Sequence, residues 1–231
     1  MKLKWKILMG IGLVCLIVLA VWSRKTATTV MVGAEDNGRA HTIVIDAGHG
    51  GVDGGATSCT GVLESELNLQ IALKLEDLMH LLGYKTIMIR RTDISVYTKG
   101  ATIAQKKVSD LKERVRIVNS IDNALLISIH QNTFSDGKYS GAQVFYGGYG
   151  ESQTLAQIMQ TAFAGTINPG SNRKSKAPKG VYLMEHVNRT AVLVECGFLS
   201  NAAEEAKLRD PEYQKKVCCV IVCAVSKFLD G

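Results

Sequence analysis

The sequence predicts one α/β domain with a doubly wound, mainly parallel sheet. Short apolar runs typical of buried strands lie at 42–46, 86–90, 124–129, 142–146 and 191–195. Between most of them, apolar residues recur at the spacing of an amphipathic helix. Because strands that alternate with helices favour parallel pairing, the expected architecture is a sheet flanked by helices.

Three stretches show this helical spacing, with apolar residues at Leu67, Ile71, Leu75, Leu78 and Leu82, at Leu111, Val115 and Val118, and at Leu155, Met159 and Phe163. A last helix is predicted to begin after Asp210 as N-cap, with Pro211 in its first position. Its apolar face carries Val217, Ile221, Ala224 and Phe228. No element is predicted over 165–179, and a loop of this length is expected to border a functional cleft.

The amino-terminal part of the chain predicts membrane targeting. Ile7–Trp22 is a run of sixteen residues without a charge, preceded by three lysines. It is slightly short for a full span of about 20 residues and lacks a clear cleavage site. We therefore expect 1–25 to be an uncleaved signal anchor, with a cleaved signal peptide as the alternative. Residues 26–41 form a polar linker, and 42–231 form the α/β domain.

The position of the positive charges bears on both membrane orientation and partners. The net charge is +6, of which Lys2, Lys4, Lys6, Arg24 and Lys25 supply five, so the rest of the chain carries only +1. Since the excess flanks the apolar run, it favours a cytoplasmic amino terminus and an exported α/β domain. It gives no support to nucleic-acid binding, for which a basic folded domain would be expected.

Four polar residues stand where strands end or a helix starts. His49 follows the strand in IVIDAGHGG, His130 closes LLISIH, Glu195 lies in AVLVECGF, and Glu64 opens the first helix. The carboxyl ends of parallel strands meet at one edge of a sheet, where α/β proteins build their sites. We therefore expect these four side chains to lie close together.

These residue types predict a catalytic zinc (Zn²⁺) centre. Two histidines and a glutamate leave zinc a fourth position open for water, as catalytic sites require. We assign His49, Glu64 and His130 as the metal ligands. Glu195 is assigned as the general base, since a carboxylate in so apolar a strand is costly unless it has a partner or a task.

Several ordered motifs resemble the zinc-dependent N-acetylmuramoyl-L-alanine amidases of bacterial cell walls. They are DAGHGG at 46–51, LESELNL at 63–69, RRTD at 90–93, ERVRIVN at 113–119, SIHQN at 128–132 and LVECGFLSN at 193–201. The resemblance implies a Rossmann-like sheet and hydrolysis of the amide between the lactyl group of N-acetylmuramic acid and L-alanine in peptidoglycan. The chain departs from the family pattern at Ala47, where proline is usual, which predicts a looser turn, and at Cys196.

Three further segments resemble the germination-specific group of this family. They are SGAQVFYGG at 140–148, NR at 172–173 and GVYLM at 180–184. This resemblance implies removal of stem peptides from spore cortex as a step towards muramic lactam. It also implies a location at the spore envelope and an accessory sporulation protein as a partner.

Three other functions remain open. A zinc peptidase acting on stem-peptide bonds would use the same ligands, and a membrane-tethered wall-binding module would need no base. A cysteine hydrolase would use Cys196 with His130 as its base. Because Cys196 is adjacent to Glu195 in a strand, the two side chains should point to opposite faces, so only one can face the site.

Overall fold

The computed structural model describes residues 41–231. The expected anchor at 1–25 and the linker up to residue 40 lie outside the described residues. Within 41–231, no helix has the length and apolar character needed to cross a bilayer.

A five-stranded sheet forms the centre of the domain. Its strands are β1 (Thr42–Ala47), β2 (Thr86–Met88), β3 (Ala124–Asn132), β4 (Gln143–Tyr146) and β5 (Thr190–Phe198). Their order across the sheet is β2-β1-β3-β5-β4. All neighbouring pairs are parallel except β4 with β5, which is antiparallel. The prediction of a mainly parallel sheet is therefore confirmed, with one antiparallel edge strand.

Six helices accompany the sheet in the described part of the chain. They are α1 (Glu64–Leu81), α2 (Ile103–Asn119), α3 (Ser152–Gly165), α4 (Tyr182–His186), α5 (Ala202–Arg209) and α6 (Pro211–Asp230). Asp210 caps α6 by accepting the backbone N–H of Glu212, and Pro211 starts that helix, both as predicted. The short helices α4 and α5 had no counterpart in the sequence prediction, because neither is long enough to show an apolar period.

Two apolar clusters place helices on both faces of the sheet. The larger cluster joins one face of the strands to α1, α3 and α6. The smaller joins the other face to α2 and α4 through residues such as Val118 and Leu183. Burial of both faces explains why the central strands read as continuous apolar runs. The predicted doubly wound architecture is thus present.

The segment 165–179 differs from its prediction. It runs beside the edge strand β4, where Lys176 and Tyr146 are joined by a backbone hydrogen bond of 3.2 Å. The cavity at the carboxyl edge of the sheet is lined by Gly180–Leu183 instead. Residues 165–179 therefore do not line this cavity as expected, because backbone groups of the segment pair with the edge of the sheet.

Candidate metal centre and active site

His49 lies in the turn after β1 in a left-handed backbone conformation, with φ of 60°. Such a conformation is uncommon outside glycine, and strain of this kind clusters at functional sites. The His49 Nδ1 atom lies 2.8 Å from Asp53 Oδ2, and Lys107 Nζ lies 3.2 Å from the same carboxylate oxygen. A carboxylate that holds one ring nitrogen fixes the tautomer and leaves the other nitrogen for a metal.

The turn that carries His49 is held by the buried guanidinium group of Arg114. Arg114 donates to the carbonyl oxygens of Ala47 at 3.0 Å and His49 at 2.7 Å, and it forms an ion pair with buried Asp46. Burial opposes ionisation of Asp46, but the Arg114 charge and a hydrogen bond from Ser128 hold the pKa of this carboxyl below its ordinary value. The charge pair is therefore satisfied beneath the turn.

A second buried arginine holds the same backbone from the other side. Arg90 donates from Nε to the Ala47 carbonyl at 2.8 Å and from Nη2 to the Gly48 carbonyl at 3.0 Å. It also reaches the Ser65 carbonyl in α1 at 2.8 Å. These bonds tie the turn to the start of α1. Alanine at position 47 had predicted a looser turn, and these bonds hold that turn in place.

His130 comes from β3 and lies against the turn at Gly48. A Cβ atom at position 48 would overlap the His130 imidazole. The absence of a side chain there lets the ring approach the backbone of the turn closely. Gly48 therefore sets the position of His130 although it carries no functional group.

Glu64 at the first position of α1 lies between the two imidazoles. His130 Nδ1 donates to Glu64 Oε1 at 2.9 Å, and His49 Nε2 lies 3.3 Å from Oε2. The backbone N–H groups of Ala56 and Gln131 also donate to the carboxylate, at 3.0 and 3.2 Å. Burial opposes ionisation, but these imidazoles hold the pKa of Glu64 well below its ordinary value.

His49, Glu64 and His130 thus form a cluster able to bind a metal ion. Each offers a ligand atom, and these atoms all lie within 4.8 Å of one another. Two imidazoles and a carboxylate are a donor set that suits zinc.

Glu195 lies on β5, where its Cα pairs with that of His130. It lines the same cavity of about 280 Å³ as His49 and His130. Its Oε2 atom is buried and has no hydrogen-bond partner. Burial raises the pKa of Glu195 to about 7. A carboxyl in this environment can exchange a proton near neutral pH, as a general base must.

Cys196 is buried in the larger apolar cluster, on the face of β5 away from Glu195. Burial raises the pKa of its thiol well above the ordinary value, and Cys218 and Glu195 add to the shift. A reactive cysteine requires an accessible thiolate. This environment therefore gives no support to the alternative of a cysteine hydrolase.

The structure brings all four candidate residues to one edge of the sheet and adds three that the sequence reasoning missed. Asp53, Arg90 and Arg114 hold the ligands or their backbone. The motifs RRTD and ERVRIVN already contained the two arginines, but no role had been derived for them. For Asp53, the available signal was a carboxylate four residues after His49 in a glycine-rich turn.

Replacing Gly48 by alanine is expected to lower metal affinity by roughly 10- to 100-fold, the range found when groups that orient ligands are lost. The new methyl group would displace the His130 ring. Gly148→Ala is the matched control, since a Cβ there meets no atom within 4 Å. Competition with a zinc indicator measures both variants. Equal affinity in Gly48→Ala and the parent chain would contradict this view of the turn.

Comparison with known proteins identifies the family. The model of a family described as N-acetylmuramoyl-L-alanine amidase matches residues 43–227. A germination-specific N-acetylmuramoyl-L-alanine amidase of Bacillus subtilis (strain 168) is 36% identical over 188 residues, which cover 80% of this chain and 78% of the relative.

Comparison with solved structures supports the same family assignment. The CwlD amidase of Clostridioides difficile, in complex with the GerS lipoprotein, superposes with a TM-score of 0.78 at 36% identity, covering 82% of this chain and 98% of that one. An N-acetylmuramoyl-L-alanine amidase of Clostridium difficile 630 gives a TM-score of 0.72 at 29% identity, covering 84% and 98%. The chain therefore belongs to the N-acetylmuramoyl-L-alanine amidase family, whose enzymes hydrolyse an amide bond of peptidoglycan.

Proposed function

We propose that His49, Glu64 and His130 hold a zinc ion and that Glu195 is the general base for hydrolysis of the amide between N-acetylmuramic acid and L-alanine. The observation that carries this proposal is the buried, unpartnered Oε2 atom of Glu195 in the cavity that the two histidines also line. A buried carboxylate without a partner is costly to the fold. A role in proton transfer explains why it is there.

The proposed residues divide the chemistry between them. A zinc ion, when bound, would act as a Lewis acid on the amide carbonyl and lower the pKa of the attacking water. Glu195 would accept the proton of that water and return it to the departing amine. Asp53 would hold His49 through Nδ1. Arg114 would keep the His49 backbone in place.

We also propose a role in spore cortex, where this enzyme would remove stem peptides as a step towards muramic lactam. Support comes from the 36% identity to a germination-specific amidase. By analogy with the complex that contains the GerS lipoprotein, an accessory lipoprotein is the proposed partner. Residues 1–25 would anchor the exported enzyme to the membrane, and 26–41 would link the anchor to the catalytic domain.

Mass spectrometry of muropeptides tests the reaction. Cortex peptidoglycan incubated with the purified full-length chain and zinc should release stem peptides with a free L-alanine amine, and the glycan should keep free lactyl groups. New amines at other positions would favour the zinc peptidase. Retained binding to peptidoglycan without amide release under any zinc loading would favour the non-catalytic module.

Replacing Cys196 by alanine is expected to leave most of the activity, while a chelator should abolish it and added zinc should restore it. The reason is that the thiol is buried away from the cavity. Release of stem peptides from the two proteins, with and without chelator, provides the measurement. An inactive but folded Cys196→Ala variant, together with indifference to chelation, would establish the cysteine hydrolase instead.

A further inference from the structure

Three aromatic rings form a cluster at the carboxyl edge of the sheet, outside the cavity of the proposed metal centre. Phe134 lies 5.1 Å from Tyr139 and 6.4 Å from Phe198 between ring centroids, and Tyr139 and Phe198 are stacked at 6.1 Å. Phe198 is 2% exposed and forms the base of the cluster. Phe134 and Tyr139 are 57% and 39% exposed. We call these three residues the aromatic platform.

The platform is held in place by the ends of its loop, residues 133–141. The backbone N–H of Phe134 donates to Ser200 Oγ at 3.1 Å. At the other end, the backbone N–H of Gly141 donates to the buried carboxylate of Glu204 at 2.7 Å. A loop fixed at both ends presents its rings without a large ordering cost on binding.

Two cations flank the rings and give the platform a mixed apolar and polar border. The Arg173 guanidinium lies 5.0 Å from the centre of the Phe198 ring and donates to the Ser140 carbonyl at 3.1 Å. Lys138 Nζ lies 5.4 Å from the centre of the Tyr139 ring. Exposed aromatic faces with polar groups around them are typical of ligand-binding surfaces.

The platform lies close to the proposed metal centre along the strands. Phe134 follows His130 by four residues, and Phe198 follows Glu195 by three. Since a chain spans at most about 3.6 Å per residue, the Cα of Phe134 lies within roughly 14 Å of that of His130, and the Cα of Phe198 lies within roughly 11 Å of that of Glu195. A polymeric substrate whose amide occupied the centre is therefore long enough to reach these rings.

We infer that the aromatic platform binds pyranose rings of the glycan strand that lie two or more sugars away from the one whose peptide is removed. This inference rests on the proposed function. The faces of N-acetylated pyranose rings carry C–H groups that pack on aromatic rings, and their hydroxyl and acetamido groups can bond to flanking donors such as Arg173. A stem peptide is the other occupant considered. It is disfavoured because the exposed rings of Phe134 and Tyr139 offer apolar faces, which suit the C–H groups of a pyranose better than a charged peptide.

The test compares a polymeric with a minimal substrate. Phe134→Ala and Tyr139→Ala are expected to raise KM on cortex glycan strands by about 3- to 10-fold each, the range for loss of one aromatic contact. The kcat should not change. On a single disaccharide peptide, which is too short to reach the platform, both constants should match those of the parent chain. Phe134→Tyr keeps the ring and should behave like the parent.

Tyr149→Ala provides the matched control. Tyr149 is as exposed as Phe134, at 57%, but it lies near Thr190 at the amino-terminal end of β5, on the opposite edge of the sheet. Tyr149→Ala should leave KM unchanged on both the polymeric and the minimal substrate. Direct binding of N-acetylglucosamine hexasaccharide, measured by calorimetry on the full-length chain, should weaken in the Phe134 and Tyr139 variants alone.

Two results would overturn the inference. Unchanged KM values in both variants would show that the rings do not touch substrate. An equal rise in KM on polymer and on the minimal substrate would place the stem peptide on the platform. A parent chain that releases no peptide from either substrate would instead contradict the proposed function, so the two failures are distinguishable.

Discussion

Replacing His49 or His130 by alanine is expected to remove tight zinc binding and hydrolysis together. The two imidazoles supply two of the three proposed protein ligands, and both lie within hydrogen-bonding distance of Glu64. Loss of either leaves two ligands. Zinc stoichiometry by elemental analysis, with peptide release in parallel, measures the effect.

His80→Ala is the control for the histidine variants. His80 lies exposed near the end of α1 and bonds to Thr86 rather than to the proposed centre. This variant should keep its zinc and its activity. If both His49→Ala and His130→Ala retain stoichiometric zinc, the ligand assignment is wrong.

Replacing Glu195 by glutamine is expected to lower the rate by roughly 10²- to 10⁴-fold, the usual contribution of a positioned acid or base. Glutamine keeps the shape of the side chain and removes its basicity. Because Glu195 makes no hydrogen bond through Oε2, the fold should tolerate the change. Single-turnover kinetics on cortex fragments separate the rate from substrate affinity, which should barely change. Full activity in this variant would place the base elsewhere.

Much of the site could be predicted from the sequence because the sheet is parallel. His49 follows β1, His130 lies near the carboxyl end of the neighbouring parallel strand β3, and β5, which carries Glu195, lies next to β3. Parallel strands end at the same edge of the sheet, so residues at or just after their carboxyl ends lie together there. Neighbouring residues in a strand face opposite sides, which separates Cys196 from Glu195.

The supporting contacts could not be predicted in the same way. Arg114 lies 65 residues from His49 along the chain, and its bond to the His49 carbonyl depends on the left-handed turn. Arg90 reaches the same turn from beyond β2. Periodicity places a residue on one face of a helix or strand. It does not give the direction of a guanidinium group that bonds to backbone carbonyls across the fold.

The platform illustrates the same limit. Phe134 and Tyr139 lie in a loop with no apolar period, and Phe198 closes β5 after a shift in register near Asn132. Only the three-dimensional structure brings these rings together. The short helix α4 lines the cavity wall. Its five residues are too few to show an apolar period in the sequence.

The most direct test of the account is the zinc stoichiometry of two isosteric variants, Glu64→Gln and Glu195→Gln, purified side by side. Both replace a carboxylate by an amide of the same shape, so they separate a ligand from a base. The account predicts that Glu64→Gln loses tightly bound zinc while Glu195→Gln retains close to one ion per chain. Zinc lost from Glu195→Gln and retained in Glu64→Gln would exchange the two roles and contradict the mechanism.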